Sequence, residues 1–225
     1  MSKAVLISIR PKWCEKIVLG EKTIEVRKTR PKMDTPFKCY IYCTRNGQDP
    51  DRLWVLNDQA RKEYDGLVAV CANLGECQER HFLGNGKVIG EFVCYRIDAL
   101  ARVGYMGSGE MPRYNILNAD ARIRPAKELF QRACLTEDEA EDYLKDRYGF
   151  GWHISDLKIY DEPKELSEFT AACRYKNDDG TCPSRRIACS FQRYDYNPDG
   201  SINIVECGNT IRRPPQSWGY VEELP

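Results

Sequence analysis

Histidine is nearly absent from this chain: His81 and His153 are the only two in 225 residues. Without a His-Glu-x-x-His pair, a zinc-protease centre or a histidine-rich metal site has no basis. Net charge is absent too, because 34 Lys and Arg balance 34 Asp and Glu. Long apolar runs are missing. The longest early one, Val5 to Ile9, is far too short for a signal core or a membrane span, so a cytoplasmic protein without a membrane partner is expected. No Gly-x-Ser-x-Gly elbow supports a Ser-His-Asp reading. Gly107-Ser108-Gly109 neither follows a strand nor leads into Gly-Lys-Ser/Thr, which makes it a loop and not a phosphate cradle. There is no internal repeat.

What is present in excess is cysteine. Eleven thiols are many for a cytosolic chain, and the odd number leaves at least one unpaired in any all-disulfide scheme. Most read as small buried hydrophobes. Cys173, Cys182, Cys189 and Cys207 fall together in a polar late segment, where four thiolates suit a structural zinc. Their spacing contains no C-x-x-C pair, so that reading rests on residue type, and no cofactor is required by anything else. Charge is also uneven along the chain. Residues 1–32 hold nine bases against three acids, a net +6, and the remainder carries −6. Such a basic end fits a phosphate footprint or an ordinary solvated face.

The length allows one domain with insertions. Val5, Ile7 and Ile9 alternate with Leu6, Ser8 and Arg10 as in a strand. Pro11 suits a first helical position, Cys14, Ile17 and Val18 form one helical stripe, and Gly20 suits the left-handed end of that helix. The chain then reverses into a strand in which Ile24 and Val26 face inward, while Thr23, Glu25 and Arg27 share the other face. Lys38 to Thr44 reads as a strand. Leu53, Leu56, Ala60 and Tyr64 predict an amphipathic helix inserted between strands. Val88 to Ile97 predicts a strand apolar on both sides. Thr136 and Glu139 make a capping box, which accounts for the acidic run after it. Trp152 to Tyr160 and Trp218 to Val221 read as later strands, with a hairpin around Asn197 to Ser201.

The segment Gly20-x-Lys22-x-x-Glu25-x-Arg27, placed after a short strand and helix, resembles the signature of the ASCH domain family. The Leu6 to Pro11 entry, the Gly86 to Ile97 strand and the closing Pro214-Pro215-Gln216-Ser217-Trp218-Gly219-Tyr220 extend the resemblance to phage-type and bacterial ASCH proteins over most of the chain. It implies an α+β fold: a PUA-like β-barrel with helical insertions over residues 1–165, a small Cys-containing late insertion over 166–207, and a closing strand of the barrel within 208–225. It also implies a link with RNA. In family members that act as amidohydrolases on acetylated cytidine, the equivalent of Lys22 works with a threonine three residues later and a distant glutamate. Here Glu25 occupies that threonine position, and a carboxylate replaces neither the hydroxyl nor its nucleophilic role. Other members are ribonucleases, for which Lys22 and Arg27 offer a cation and Glu25 a base.

For binding alone the requirements are a basic groove and an aromatic platform. Trp13, Trp152, Trp218, Tyr40 and Tyr42 are the aromatic candidates. Trp13 is preferred because it lies in the first helical turn between Arg10, Lys12 and the helix proper, off the apolar stripe. The resulting expectation is a monomer that binds RNA or a nucleotide through Arg10, Lys12, Trp13, Lys22 and Arg27. The alternatives are a ribonuclease or nucleoside amidohydrolase using Lys22 and Glu25 as catalytic residues, and an interaction module without catalysis.

Overall fold

The computed structural model describes residues 3–45, 52–63, 66–71, 81–102, 114–117, 123–145, 147–172, 192–196, 198–207 and 210–224. Strand β1 (Lys3–Ile9) leads into helix α1 (Pro11–Val18), then β2 (Ile24–Arg27), β3 (Phe37–Cys43) and β4 (Leu53–Leu56). A short helix α2 (Asp58–Glu63) precedes β5 (Ala69–Cys71), β6 (His81–Leu83), the long β7 (Val88–Ala101), β8 (Asn115–Leu117) and β9 (Ile123–Pro125). Helices α3 (Lys127–Arg132) and α4 (Glu137–Leu144) come next, followed by β10 (Gly149–Lys164), β11 (Gln192–Tyr196), β12 (Ile202–Cys207) and β13 (Trp218–Glu222). The protein is a sheet-dominated α+β structure. Among the described residues no helix is long and apolar enough to cross a membrane.

The main sheet runs β13-β1-β3-β7-β10-β2, with β8 on β7 and β9 on β8. Among its described residues only the β1–β3 pair is parallel. That pair is joined through α1 and β2, as a crossover requires. Val5, Ile7, Ile9, Cys39, Ile41, Cys43, Phe92, Cys94 and Trp152 form the core on one sheet face. Leu6, Tyr40, Tyr42 and Val88 bury the other face against Phe169 and Val221. Both faces of β1 and β3 are therefore covered, and their apolar alternation is nearly continuous for that reason. Tyr40 and Tyr42, considered as stacking platforms from sequence, are core residues at 0% and 5% exposure.

Several local expectations hold. Pro11 opens α1, Gly20 sits at φ +76° just after it, and the Thr136–Glu139 capping box is formed in both directions. The late hairpin exists as the β11–β12 pair. The inserted amphipathic helix is a correction. Leu53 to Leu56 is strand β4, paired on both sides by β5 and β6 and buried at all four positions. A continuous apolar Leu-Trp-Val-Leu run satisfies a covered strand better than one helical stripe, and Asn57 then caps the short α2 by accepting from the Ala60 N–H at 3.0 Å. Cys173, Cys182 and Cys189 lie outside the described residues, as does the side chain of Cys207.

The expected barrel is not closed by backbone pairing among the described residues, because β13 and β2 are the two ends of the sheet path. Bonds from β2 and the residues just after it reach across to β1 and β13 instead. Arg27 of β2 donates to the Ser8 carbonyl at 2.6 Å, the Trp218 indole donates to Thr29 Oγ1 at 3.0 Å, and the Lys32 N–H donates to the Tyr220 hydroxyl at 2.7 Å. The sheet curls until its edges nearly meet, and the seam between them opens into a cleft.

Candidate nucleotide-binding cleft

The cleft has a volume of about 540 Å³ and is lined by Arg10, Lys12, Trp13, Lys22, Glu25 and Arg27, together with Ser8, Thr44, Glu139, Tyr143, Gln216 and Ser217 among others. All six residues singled out around the motif thus reach one opening. Two causes bring them together. The reversal after α1 returns the chain beside its own helix, with Lys22 N–H donating to the Lys16 carbonyl at 2.9 Å. Strand alternation then puts Glu25 and Arg27 on one side of β2, while Ile24 and Val26 pack with Leu129, Phe130 and Leu144 of the helices.

The floor is a buried charge array. Glu25 Oε2 lies 3.2 Å from Lys22 Nζ, and Glu25 Oε1 lies 3.0 Å from Arg27 Nε. Their side chains are only 9%, 3% and 9% exposed respectively. Lys22 is further anchored by donating to the Ala133 carbonyl at 2.7 Å, at the C-terminal end of α3, where a helix presents its negative pole. Arg27 is fixed by Ser8 as above and by a longer contact to Ser217 Oγ at 3.4 Å. Both cations therefore have rigid backbone anchors. The carboxylate between them is less satisfied: the contacts are close but misaligned, so Glu25 Oε2 and Arg27 Nε are both buried without a hydrogen-bond partner. Buried polar atoms left so are uncommon and costly.

The mouth differs from the floor. Arg10 and Lys12 are exposed, and Trp13 is half-buried, its inner edge packed on the core. The Trp13 ring centroid lies 4.4 Å from Lys12 Nζ and 5.1 Å from Lys22 Nζ, so its π-system connects a mouth cation with a floor cation. Trp152, an alternative platform from sequence, is fully buried and packs edge-on against Phe37. Trp218 is half-buried, tilted against Trp152 and edge-on to Tyr220.

Sequence reasoning missed Tyr143. Its spacing from Ala140 suggests the apolar side of α4, yet Ala140 and Leu144 fill that role, and Tyr143 turns to the cleft at 37% exposure. Burial pushes its phenol above the ordinary value, while the neighbouring Arg27 guanidinium works in the opposite direction. The ring also lies under Lys28 Nζ at 5.0 Å. Gln216 and Ser217 came into view only as part of the closing segment. Ser8 N–H donates to the Ser217 carbonyl at 2.9 Å and Ser8 Oγ to the Pro215 carbonyl at 2.6 Å, which pins that segment to the rim. Thr23, two residues from the position where the amidohydrolases carry their threonine, accepts from Arg132 Nε at 3.1 Å and does not line the cleft.

A second polar cluster sits elsewhere. His153 Nε2 is 2.8 Å from Asp98 Oδ2, Arg96 holds Asp98 with two 2.7 Å bonds, and the Tyr95 hydroxyl is 3.3 Å from His153 Nδ1. Burial alone would raise the Asp98 carboxyl, but the bonds from His153 and Arg96 outweigh it and hold it at about 2. His153 pairs with Ile24 across the ladder and so shares the sheet face opposite to Glu25. Among the described residues no group of three or more His, Cys, Asp or Glu is arranged to hold a metal.

No family model matches this chain, and no curated protein matches it. Among solved structures it is similar to an ASCH protein from Zymomonas mobilis, at 17% identity and a TM-score of 0.41, covering 72% of this chain and 73% of the other. A Tyr-to-Phe variant of that Zymomonas protein is similar at 16% identity and a TM-score of 0.40, over 73% and 77% of the two chains.

Proposed function

We propose that this chain is an ASCH-type, PUA-like protein that binds RNA or a nucleotide in the seam cleft. The observation that carries this reading is the convergence of Lys22, Glu25 and Arg27 of the motif with Arg10, Lys12 and Trp13 on one opening large enough for a nucleotide. Four bases and two acids line it, Arg10, Lys12, Lys22 and Arg27 against Glu25 and Glu139, so the cleft is cationic although the chain as a whole is neutral. Exposed Arg10 and Lys12 beside a helix start offer phosphate contacts, and Trp13 offers a face on which a base can stack.

The reading stays with binding rather than turnover. The amidohydrolase chemistry of the family asks for a hydroxyl beside the lysine, and Thr23 is engaged with Arg132 outside the cleft. Titration of a fluorescent single-stranded oligoribonucleotide tests the proposal. The pair of exposed substitutions Arg10→Ala and Lys12→Ala should leave folding intact and weaken binding by at least about tenfold, given the contribution of phosphate contacts. Wild-type affinity in that variant would overturn the assignment.

A further inference from the structure

General RNA binding leaves the floor of the cleft unexplained. Phosphate does not belong there, because its oxygens are acceptors only and would face the carboxylate of Glu25, whose Oε2 has an ion-pair contact with Lys22 but no aligned hydrogen bond. The floor needs a ligand edge that donates at its centre. Across the cleft the order is Lys22, Glu25, Arg27, which is donor, acceptor, donor. Each is at least nine-tenths buried, and the Glu25 Oε2 and Arg27 Nε atoms lack hydrogen bonds of their own.

We propose that this floor reads the imide edge of uracil, with the O4, N3–H and O2 groups meeting Lys22, Glu25 and Arg27 as acceptor, donor and acceptor. The inference rests on the reading that the cleft takes nucleotides. Among the four RNA bases only this edge, which thymine shares, is complementary at all three positions. Cytosine sets a lone pair at N3 against the carboxylate. Guanine offers its N1–H to Glu25 but turns the N2 amino group, a second donor, toward the guanidinium. Adenine has a lone pair at N1 and no flanking carbonyl. A wrong base therefore leaves buried charged groups unpaired or opposed, which is the condition under which polar sites discriminate strongly. Trp13 then stacks on the ring, and the attached phosphate extends toward Arg10 and Lys12 at the mouth.

The test changes the ligand and leaves the protein intact. Fluorescence anisotropy is measured with short oligouridylate, oligocytidylate and oligouridylate methylated at N3, and calorimetry with the three corresponding monophosphates. Oligouridylate should bind at least about tenfold more tightly than either competitor, since N3-methylation keeps both carbonyls but replaces the central donor with a methyl group. The same ranking among the monophosphates assigns the ligand to the free nucleotide, and a ranking seen only in the oligomers assigns it to RNA; both uphold the uracil edge. Equal binding of all three oligomers overturns the uracil assignment and leaves nucleotide binding standing. Binding of none overturns both.

Discussion

Removing the Glu25 carboxylate should destabilise the protein far more than removal of a surface acid. In Glu25→Ala the ammonium of Lys22 and the guanidinium of Arg27, 3% and 9% exposed, lose the only anion between them. At 3.2 Å and an effective dielectric constant of about 20, the Lys22–Glu25 attraction alone is roughly 5 kcal/mol before desolvation. Desolvation cancels much of this in the intact array, so the array is no great stabiliser in itself. Breaking it is another matter, because two buried like charges remain. The expected loss is about 3–5 kcal/mol. For a chain of this size that corresponds to a fall in Tm of roughly 6–20 °C. Glu25→Gln, which keeps the shape and one acceptor, should fall between wild type and Glu25→Ala. Urea and thermal unfolding followed by circular dichroism measure all three. A Glu25→Ala protein within about 0.5 kcal/mol of wild type, the range of ordinary surface changes, would show that water already solvates these groups and that the buried floor does not exist.

Trp13→Ala should weaken oligonucleotide binding by about five- to hundredfold, the range for one lost base stack, while Trp13→Phe keeps most of the affinity; unchanged binding in the alanine variant would remove the platform. Gly90→Ala should cost about 1–3 kcal/mol in a denaturant titration, because the added methyl runs into the backbone carbonyl of Lys158 on the neighbouring strand, and wild-type stability would contradict the β7–β10 register. Asp98 is depressed from 3.8 to about 2 in the folded protein, so its stabilising contribution is complete above its unfolded value and is lost as pH falls between these two limits. Asp98→Asn should flatten that acid limb of the stability profile, and an identical limb in both proteins would refute the His153–Asp98–Arg96 arrangement.

The local turns of this fold are legible residue by residue. Pro11 and Gly20 bracket α1, and period-2 alternation places Glu25 and Arg27 on a common side, because both signals depend on chain geometry within a few residues. What alternation does not reveal is that this side is buried: the polar face of β2 looks solvent-exposed in sequence and is instead walled by Ser8, Tyr143 and Ser217, which come from β1, α4 and the approach to β13. The same distance in sequence hides Tyr143, whose neighbours on α4 suggest a core position. Leu53 to Leu56 was misread because its apolar spacing fits a helix, and only pairing with β5 and β6 on both sides decides for a strand. Trp152 and Tyr40 show the matching limit for aromatics. Their composition suits stacking, but Trp152 is enclosed in the core on one sheet face and Tyr40 is covered on the other by Phe169 and Val221.

The salt dependence of oligouridylate affinity tests the central claim most directly. If phosphates lie against Arg10 and Lys12 at the mouth of the seam, the logarithm of affinity falls linearly with the logarithm of salt, by about 0.7 per neutralised phosphate of a single strand. The Arg10→Ala, Lys12→Ala pair should then show a slope shallower by roughly one to two contacts. A wild-type affinity that does not change with salt, or an equal slope in the variant, would contradict the account.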